Sequence, residues 1–366
     1  MRAWWRRVAQ RRTGEDRAAR RHPASDAVPT ASDAPHHRTD ARGAVRPEPG
    51  RVAPVHSDHG AARFAPAADQ DGLPPPTEGL PRIGFVGAGR VGTALGVALR
   101  RAGWPVTAVA SRDRARRDRF IALVPGARGY AEPPAILDDA DLVFLTVPDD
   151  AVAAVASELR LYSGQAVVHT SGVLPAAVLA PAMAAGTEAG SFHPLVAFAD
   201  LDAALAALPG ATVAIEGDEP LMPLLTDLAG ALGARAVRVT AAGKALHHAA
   251  AVLAAGGFVA LLDTVVALGA AAGLDESTSL ELYGDLVRQG LDNVGRLGVR
   301  TSLTGPVVRG DVGTVRAHLA ALQRLAPDAV AVYVALARRA LEIAVARGEL
   351  APEQAAAMGA LLASGG

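Results

Sequence analysis

The chain of 366 residues contains no cysteine, which excludes a disulfide framework, a thiolate nucleophile and a cysteine-ligated metal site. Aromatic residues make up only 4% of the sequence, so a core built from Ala, Val and Leu is expected. The formal net charge of −1 gives no support for nucleic acid as a partner. No H-E-x-x-H motif or comparable ligand spacing occurs, so no bound metal is expected.

Residues 1–80 are rich in Arg, Ala and Pro and almost devoid of Ile and Leu. No apolar segment follows the basic start, so the segment does not resemble a secretory signal. Such a composition buries too little apolar surface to offset the entropy lost on ordering, and we predict a disordered tail. The tail could be a polyanion-binding arm or the product of an upstream start codon.

A glycine motif is the most informative feature that the sequence does contain. An apolar strand from residue 83 is followed by Gly87-Ala88-Gly89-Arg90-Val91-Gly92 and then by an amphipathic helix. In this pattern Gly87 permits a tight turn, Gly89 lets the backbone approach a pyrophosphate, and Gly92 lets the helix pack closely on the strand. The helix N-terminus offers N–H groups and a positive dipole end to the phosphates. The motif predicts a dinucleotide site, with a plain strand–turn–helix as the alternative.

The end of the next strand indicates which dinucleotide binds. A site that prefers NAD usually has Asp or Glu there, because a carboxylate accepts a hydrogen bond from the ribose 2′-OH. This chain has Ser111 and Arg112 after the apolar strand 105–110, and Asp113 comes only later. A hydroxyl and a guanidinium suit a 2′-phosphate, since Arg pairs bidentately with phosphate oxygens. We predict NADP rather than NAD; the alternative is a solvated, basic start of a helix.

The remaining pattern indicates two folded domains. From residue 83 to about 195, strand and helix signals alternate, which predicts an α/β fold with a Rossmann-type doubly wound parallel sheet. After residue 241 only helical periodicity remains, which predicts an all-α C-terminal domain. We assign residues 81–240 to the dinucleotide-binding domain and residues 241–366 to the helical domain.

The apolar stretch 249–274 is long enough to span a bilayer. Asp263 interrupts it near its centre, and a charge at that depth is costly, so we predict a helix of a soluble domain and no membrane partner. A helix that is apolar on all sides is unsuited to an exposed surface. We therefore expect it to be buried centrally, with the helical domains of two subunits pairing in a C2 homodimer.

Residues 83 to about 350 resemble the bacterial Rossmann-like oxidoreductases with a C-terminal helical domain of unknown function, which are related to 6-phosphogluconate dehydrogenase, pyrroline-5-carboxylate reductase and ketopantoate reductase. The matching segments are the glycine motif, Thr146-Val147-Pro148, Val168-His169-Thr170-Ser171-Gly172, Ser191-Phe192-His193-Pro194-Leu195, Lys244-Ala245-Leu246-His247-His248-Ala249, and Leu303-Thr304-Gly305-Pro306-Val307-Val308-Arg309-Gly310-Asp311. The resemblance implies NADP binding and a reductase-type fold, but no particular substrate. We assign Val147 and Pro148 to cofactor binding, with Arg90 and Val91 of the glycine motif.

Lys244 and His248 are four residues apart on a predicted helix and therefore share one face. In the related dehydrogenases a helix-borne Lys, with Asn four residues later, acts as acid or base beside the nicotinamide, and the resemblance implies this role for Lys244. His248 stands where those relatives have Asn, and an imidazole can itself titrate near neutral pH. The alternative for Lys244 is a side chain that reaches back to water. His247 points elsewhere on the helix.

Further polar residues are candidates for the site. Ser171 ends a predicted parallel strand, where ligands of α/β sheets bind, so its hydroxyl could bind a substrate carboxylate or carbonyl, or stabilise a turn. His193, in a predicted loop, either faces the site or caps a helix, whereas His169 is interpreted as structural. Arg309 could bind a substrate carboxylate, with Asp311 either orienting it or capping a helix.

These features predict a cytoplasmic NADP-dependent oxidoreductase that reduces a small carbonyl compound of the 2-keto acid type in a cleft between the two domains. Hydride transfer needs orientation and a proton donor from the protein, and Lys244, His248, Ser171 and His193 are the candidates. Two alternatives stay open: an NADP-binding sensor or scaffold without turnover, and an imine reductase of the pyrroline-5-carboxylate type. The sequence does not identify the substrate.

Overall fold

The structure, a computed structural model, describes residues 75–365. The chain divides into two compact units, of which the first ends at His248 and the second begins at Ala249. The predicted disordered tail, residues 1–80, lies outside the described residues except for its end.

The first unit is an α/β fold built on one eight-stranded sheet. Its strands are β1 Ile83–Val86, β2 Val106–Ala110, β3 Arg128–Tyr130, β4 Leu142–Leu145, β5 Ala166–His169, β6 Glu188–Pro194, β7 Thr212–Gly217 and β8 Arg235–Arg238. Its helices are α1 Arg90–Arg101, α2 Arg114–Leu123, α3 Asp149–Glu158, α4 Leu201–Ala207 and α5 Met222–Ala231. The strand order is β3-β2-β1-β4-β5-β6-β7-β8, and the predicted Rossmann-type architecture is confirmed.

Strand β6 departs from the predicted all-parallel sheet. It pairs in parallel with β5 as far as Ser191, and it pairs antiparallel with β7 over residues 190–194. The predicted loop at His193-Pro194 is therefore wrong, because both residues belong to β6. Proline is tolerated there because this end of β6 extends past β5, so its missing N–H removes no ladder hydrogen bond to that strand.

Most of the buried apolar residues are Ala, Val and Leu, as expected, and a cluster of four phenylalanines lies among them in the first unit. Phe85 stacks on Phe144 with ring centroids 5.2 Å apart, and Phe192 meets Phe144 edge to face at 5.7 Å. Phe120 of α2 completes the cluster at 5.7 Å from Phe85. All four rings are fully buried on one side of the sheet. Although aromatics are few, the first unit concentrates them where adjacent strands bring them together.

The second unit is helical, as predicted. Helix α6 (Lys244–Val252) begins in the first unit, ends in the second, and leads through a π-helical segment at Leu253–Gly257 into α7 (Phe258–Ala271). The remaining helices are α8 Glu276–Leu297, α9 Val312–Leu325, α10 Val330–Ala346 and α11 Pro352–Ser364. Helices α9 to α11 enclose a small apolar core that includes Val315, Val334 and Met358.

The predicted central burial of the apolar helix is wrong for the single chain. The helical run Ala241–Ala271 is long and apolar enough to cross a membrane, and none of its most apolar window is buried. Leu253 is 73% exposed and Val259 is 65% exposed. A single helix of this kind is weak evidence for a membrane span. Its composition, with apolar residues on every side, indicated burial but could not indicate whether the same chain supplies the covering surface.

Candidate functional site

A pocket of about 970 Å³ lies at the carboxyl ends of the central parallel strands. Its lining belongs entirely to the first unit, from the ends of β1, β2, β4 and β5, the starts of α1 and α3, and parts of β6 and α6. Most of the residues that the sequence singled out line it: Gly87, Gly89, Arg90, Val91, Ser111, Arg112, Val147, Pro148, Ser171, His193 and His248. Gly92 and Lys244 lie outside the lining.

The glycine turn has the geometry of a phosphate cradle. Gly87 has φ +106°, and a Cβ atom on it would lie 2.7 Å from the carbonyl oxygen of Thr146. A Cβ atom on Gly92 would lie 2.3 Å from the carbonyl oxygen of Gly87, whereas Gly89 has no neighbour within 4 Å of its would-be Cβ. Two glycines are therefore needed for packing, and the third leaves open space for a ligand.

The start of α1 has the properties of an anion site. Gly89 caps the helix without a side-chain hydrogen bond, and the first turn holds no acidic residue. The first N–H groups of a helix have no partner inside it and carry the positive end of the dipole. Thr146 Oγ1 donates to the Gly87 carbonyl at 2.7 Å and so fixes the turn that precedes these groups. The turn thus fits a dinucleotide pyrophosphate.

The end of β2 presents cations to the same pocket. Arg112 and Arg116 both line it, and both are exposed. The nearby carboxylate of Asp113 is engaged, because it accepts from the backbone N–H of Arg116 at 3.1 Å and pairs with the Arg116 guanidinium at 3.1 Å. Asp113 therefore acts as the cap of α2 rather than as a free acceptor. Arg116 was not assigned a role from the sequence.

Lys244 is buried beneath the pocket and is only 1% exposed. Its Nζ donates to Ser191 Oγ at 2.7 Å and to the Ser171 carbonyl at 3.2 Å. Burial lowers the pKa of Lys244, and the charges of Glu216 and Asp149 oppose this effect. The side chain joins the ends of β5 and β6 to the start of α6. The side chain does not reach water, so the alternative of a lysine that extends to solvent is wrong.

Ser171 uses its hydroxyl locally. Its Oγ accepts from the backbone N–H groups of Val173 at 3.2 Å and Leu174 at 3.1 Å, which closes the turn after β5. The residue is 6% exposed, although it contributes to the pocket lining.

Three histidines lie close together: His193 near the end of β6, and His247 and His248 on α6. His193 Nδ1 lies 3.0 Å from the Thr170 carbonyl, and its ring is 5.6 Å from that of His248 and 6.3 Å from that of His247. Burial lowers the pKa of His193, and the Thr170 carbonyl opposes this effect. His247 does not line the pocket. His193 caps no helix; it lies on the pocket wall.

His169 and Asp311 have structural surroundings. His169 is fully buried, and burial together with the charge of Lys244 lowers its pKa to about 4. Asp311 caps α9 by accepting from the backbone N–H of Thr314 at 3.0 Å, so the capping alternative is confirmed. Arg309 belongs to the second unit and does not line the pocket. Within residues 75–365, no group of three or more His, Asp or Glu side chains is placed to hold a metal ion.

Comparison with known families agrees with this geometry. Residues 59–194 match the profile of a Rossmann-like domain, the class to which the sheet and the glycine turn assign the protein. Residues 211–340 match DUF2520, a domain of unknown function. The chain therefore combines a Rossmann-like domain with a region that matches DUF2520. A search of curated protein sequences found no match.

Solved structures share the fold over most of the chain. A protein from Thermotoga maritima is 26% identical with a TM-score of 0.57, covering 72% of this chain and 99% of that chain. A candidate NADP oxidoreductase from Bacteroides fragilis is 22% identical with a TM-score of 0.59, covering 71% and 98%. A reductive aminase from Aspergillus terreus, in complex with NADPH and ethyl levulinate, is 19% identical with a TM-score of 0.57, covering 76% and 99%. Oxidoreductases that use NADP thus share this fold.

Proposed function

We propose that the protein is an NADP-dependent oxidoreductase that reduces a small carbonyl compound, with 2-keto acids as the first class to test. The observation that supports this most strongly is the composition of one pocket. The glycine turn, Ser111 and Arg112 line it at the cofactor side, and His193 and His248 line it elsewhere. Anion-binding groups and titratable groups in one cavity are what a hydride-transferring enzyme requires.

The proposed division of roles follows from these positions. The N-terminal amides of α1 would hold the pyrophosphate, and Ser111, Arg112 and Arg116 would hold the 2′-phosphate. NADPH, when bound, supplies the hydride. The protein must then orient the substrate and exchange one proton with it, and the polar groups available in the lining for that purpose include Ser171, His193 and His248.

Cofactor preference tests this proposal directly. NADPH should bind more tightly than NADH, and Arg112→Gln should weaken NADPH by about 1.5–3 kcal/mol, the range for a hydrogen bond to a charged group, while leaving NADH unchanged. Arg119→Gln is the matched control, since Arg119 is exposed on α2, the helix that follows Arg112, but lies outside the pocket. Calorimetric titration of both cofactors provides the measurement. Equal affinity of the native chain for both would contradict the proposal.

Imine reduction is the second candidate, and the likeness to the Aspergillus terreus reductive aminase favours it. An imine can arrive already protonated, so its reduction demands less from a protein acid than carbonyl reduction does. Pyruvate and 1-pyrroline are matched probes, and NADPH oxidation with one but not the other distinguishes the candidates. Tight NADPH binding without oxidation by any keto or imine compound would instead support a sensor or scaffold.

We also propose that a second copy of the chain covers the exposed apolar surface of the π-helical segment Leu253–Gly257 and of helices α7 and α8. Leu253, Val259 and Leu286 are each more than half exposed, and Asp263 among them disfavours a lipid environment. Leu253→Asp should shift the chain from dimer to monomer in sedimentation at micromolar concentration. Leu325→Asp, at an exposed leucine of α9, should not. A native monomer, or a native chain that sediments with lipid vesicles, would contradict this proposal.

A further inference from the structure

Two imidazole nitrogens converge on Gly172, just after β5. A Cβ atom on Gly172 would lie 2.4 Å from Nδ1 of His248 and 2.8 Å from Nε2 of His193. Gly172 and both rings contribute to the pocket lining. The space that both nitrogens occupy therefore exists because residue 172 has no side chain. The φ of Gly172 lies outside the left-handed range, so the backbone itself does not require glycine there.

The contact with Thr170 determines where His193 carries its hydrogen. A carbonyl oxygen only accepts, so Nδ1 of His193 is the donor, and the neutral ring has a lone pair at Nε2. Nε2 has no hydrogen-bond partner within residues 75–365, and it is not fully buried. His193 therefore presents an accessible base to the pocket whenever its ring is neutral.

The surroundings of His193 favour the neutral ring. Burial is the largest cause that lowers its pKa below 6.5, and the Thr170 carbonyl opposes it. The facing groups His248, Lys244 and His247 of α6 lower the pKa further, because each repels a positive charge on His193. On the neighbouring strand β5, His169 also faces His193 and is itself held neutral near pH 7.

Lys244 is placed to position these rings rather than to meet a ligand. Its ammonium group does not line the pocket. It donates to the carbonyl of Ser171, which directly precedes Gly172, and to Ser191 Oγ on β6. The same residue begins α6, which carries His248 one turn later. One buried side chain thus links the residue before Gly172, the strand that carries His193 and the helix that carries His248.

We infer that Nε2 of His193 is the atom that exchanges the proton with the substrate, and that Lys244, Gly172 and His248 are positioning residues for it. This inference rests on the proposed function. Because the neutral Nε2 is a base, it accepts the hydrogen of a hydroxyl or an N–H when the substrate is oxidised; in the reducing direction the ring must first take up a proton. The catalytic role that the resemblance implied for Lys244 thereby passes to His193.

The proton step balances within the proposed reaction. When an alcohol is oxidised, the O–H bond breaks, its hydrogen forms an N–H bond with the Nε2 lone pair, and the O–H electron pair becomes the second bond of the carbonyl. The hydride leaves to NADP⁺, the oxidant that the proposed function supplies. Reduction reverses these steps, and the cationic ring of His193 then gives its Nε2 proton to the carbonyl oxygen.

Carbethoxylation with diethyl pyrocarbonate tests the inference on the full chain without requiring turnover. The reagent acylates unprotonated, accessible imidazole nitrogens, and peptide mapping by mass spectrometry assigns each histidine. His193 should react with a pH midpoint below 6.5, its ordinary value. NADPH should slow the reaction of His193 but not that of His318, an exposed histidine of α9 that serves as the internal reference.

Variants separate positioning from overall structure. Gly172→Ala should change the reactivity of His193 severalfold, because the new Cβ displaces both rings, whereas Gly230→Ala should not, since open space surrounds that position on α5. His248→Gln should raise the midpoint of His193 by removing a repelling charge. With pyruvate or 1-pyrroline, whichever the native chain reduces, His193→Gln should lower kcat by about 10²–10⁴-fold.

The outcomes are distinct for the two proposals. An inert His193, or a midpoint at or above 6.5, overturns the inference. The same holds if NADPH binds in a calorimetric titration yet leaves the reaction of His193 unchanged. Failure of NADPH to bind at all contradicts the proposed function, and it is detected independently of the histidine chemistry.

Discussion

At the phosphate side of the pocket, the turn over residues 87–92 lies in one short stretch of chain, and its shape is set by backbone atoms. At the histidine side, Gly172, His193 and His248 come from the end of β5, from β6 and from α6, and side chains set the shape. The first arrangement is rigid because a misplaced Cβ meets a carbonyl group. The second can adjust, because a misplaced Cβ meets only imidazole rings.

The largest expected difference comes from adding one methyl group at each side. Gly92→Ala places a Cβ 2.3 Å from a backbone oxygen, so the turn must open. Overpacking of this kind costs about 1–3 kcal/mol in stability, and NADPH binding should be lost. Gly172→Ala should leave the melting temperature and NADPH affinity close to native. Thermal unfolding with NADPH titration measures both, and equal losses in the two variants would contradict the distinction.

Acid should destabilise the folded chain through His169, the buried residue that ends β5. His169 is neutral in the folded chain, with its pKa lowered from 6.5 to about 4. The unfolded chain therefore binds more protons in this range, and stability falls as the pH drops from 6.5 towards 4. The loss should approach about 3 kcal/mol, at 1.36 kcal/mol per pKa unit. Denaturant unfolding at a series of pH values checks this.

His169→Gln provides the comparison for the acid prediction. The variant should lose stability at neutral pH, because the replacement packs imperfectly, but its stability should fall less steeply below pH 6.5. An identical pH slope in both proteins would show that another group carries the acid sensitivity.

A smaller effect is expected for Lys244→Met. The change leaves the Ser171 carbonyl and Ser191 Oγ without their donor, but it also removes a buried charge, so the net loss of stability should be about 1 kcal/mol.

The variant should also differ in its pH dependence. Because the folded pKa of Lys244 lies below 10.5, the native chain gains stability as the pH rises towards that value. The variant should lack this gain. Denaturant unfolding of both proteins at neutral and alkaline pH provides the measurement. Parallel pH profiles of the native chain and the variant would argue against a buried charged lysine.

The same contrast explains what could be predicted from the sequence. Gly87, Gly89 and Arg112 line one pocket, and this grouping could be predicted because local backbone chemistry and strand order determine their positions. Lys244 and His248 were placed together on one helix face, but helix periodicity alone could not tell that one side chain lies beneath the pocket wall and the other on it. That depends on how α6 meets β5 and β6.

Two other features were beyond the sequence for related reasons. Gly172 has no signature, because its role is to leave room for rings supplied by distant segments. The apolar composition of α7 indicated that this helix packs against another surface, but it could not indicate which surface. In both cases the missing information is tertiary or quaternary contact rather than local preference.

The most direct test of the account is a crystal structure of the full chain with NADPH. The account predicts the pyrophosphate against the N-terminus of α1, the 2′-phosphate beside Ser111 and Arg112, and the nicotinamide in the part of the pocket lined by His193 and Gly172. A nucleotide bound elsewhere would contradict it, as would a nicotinamide turned away from His193.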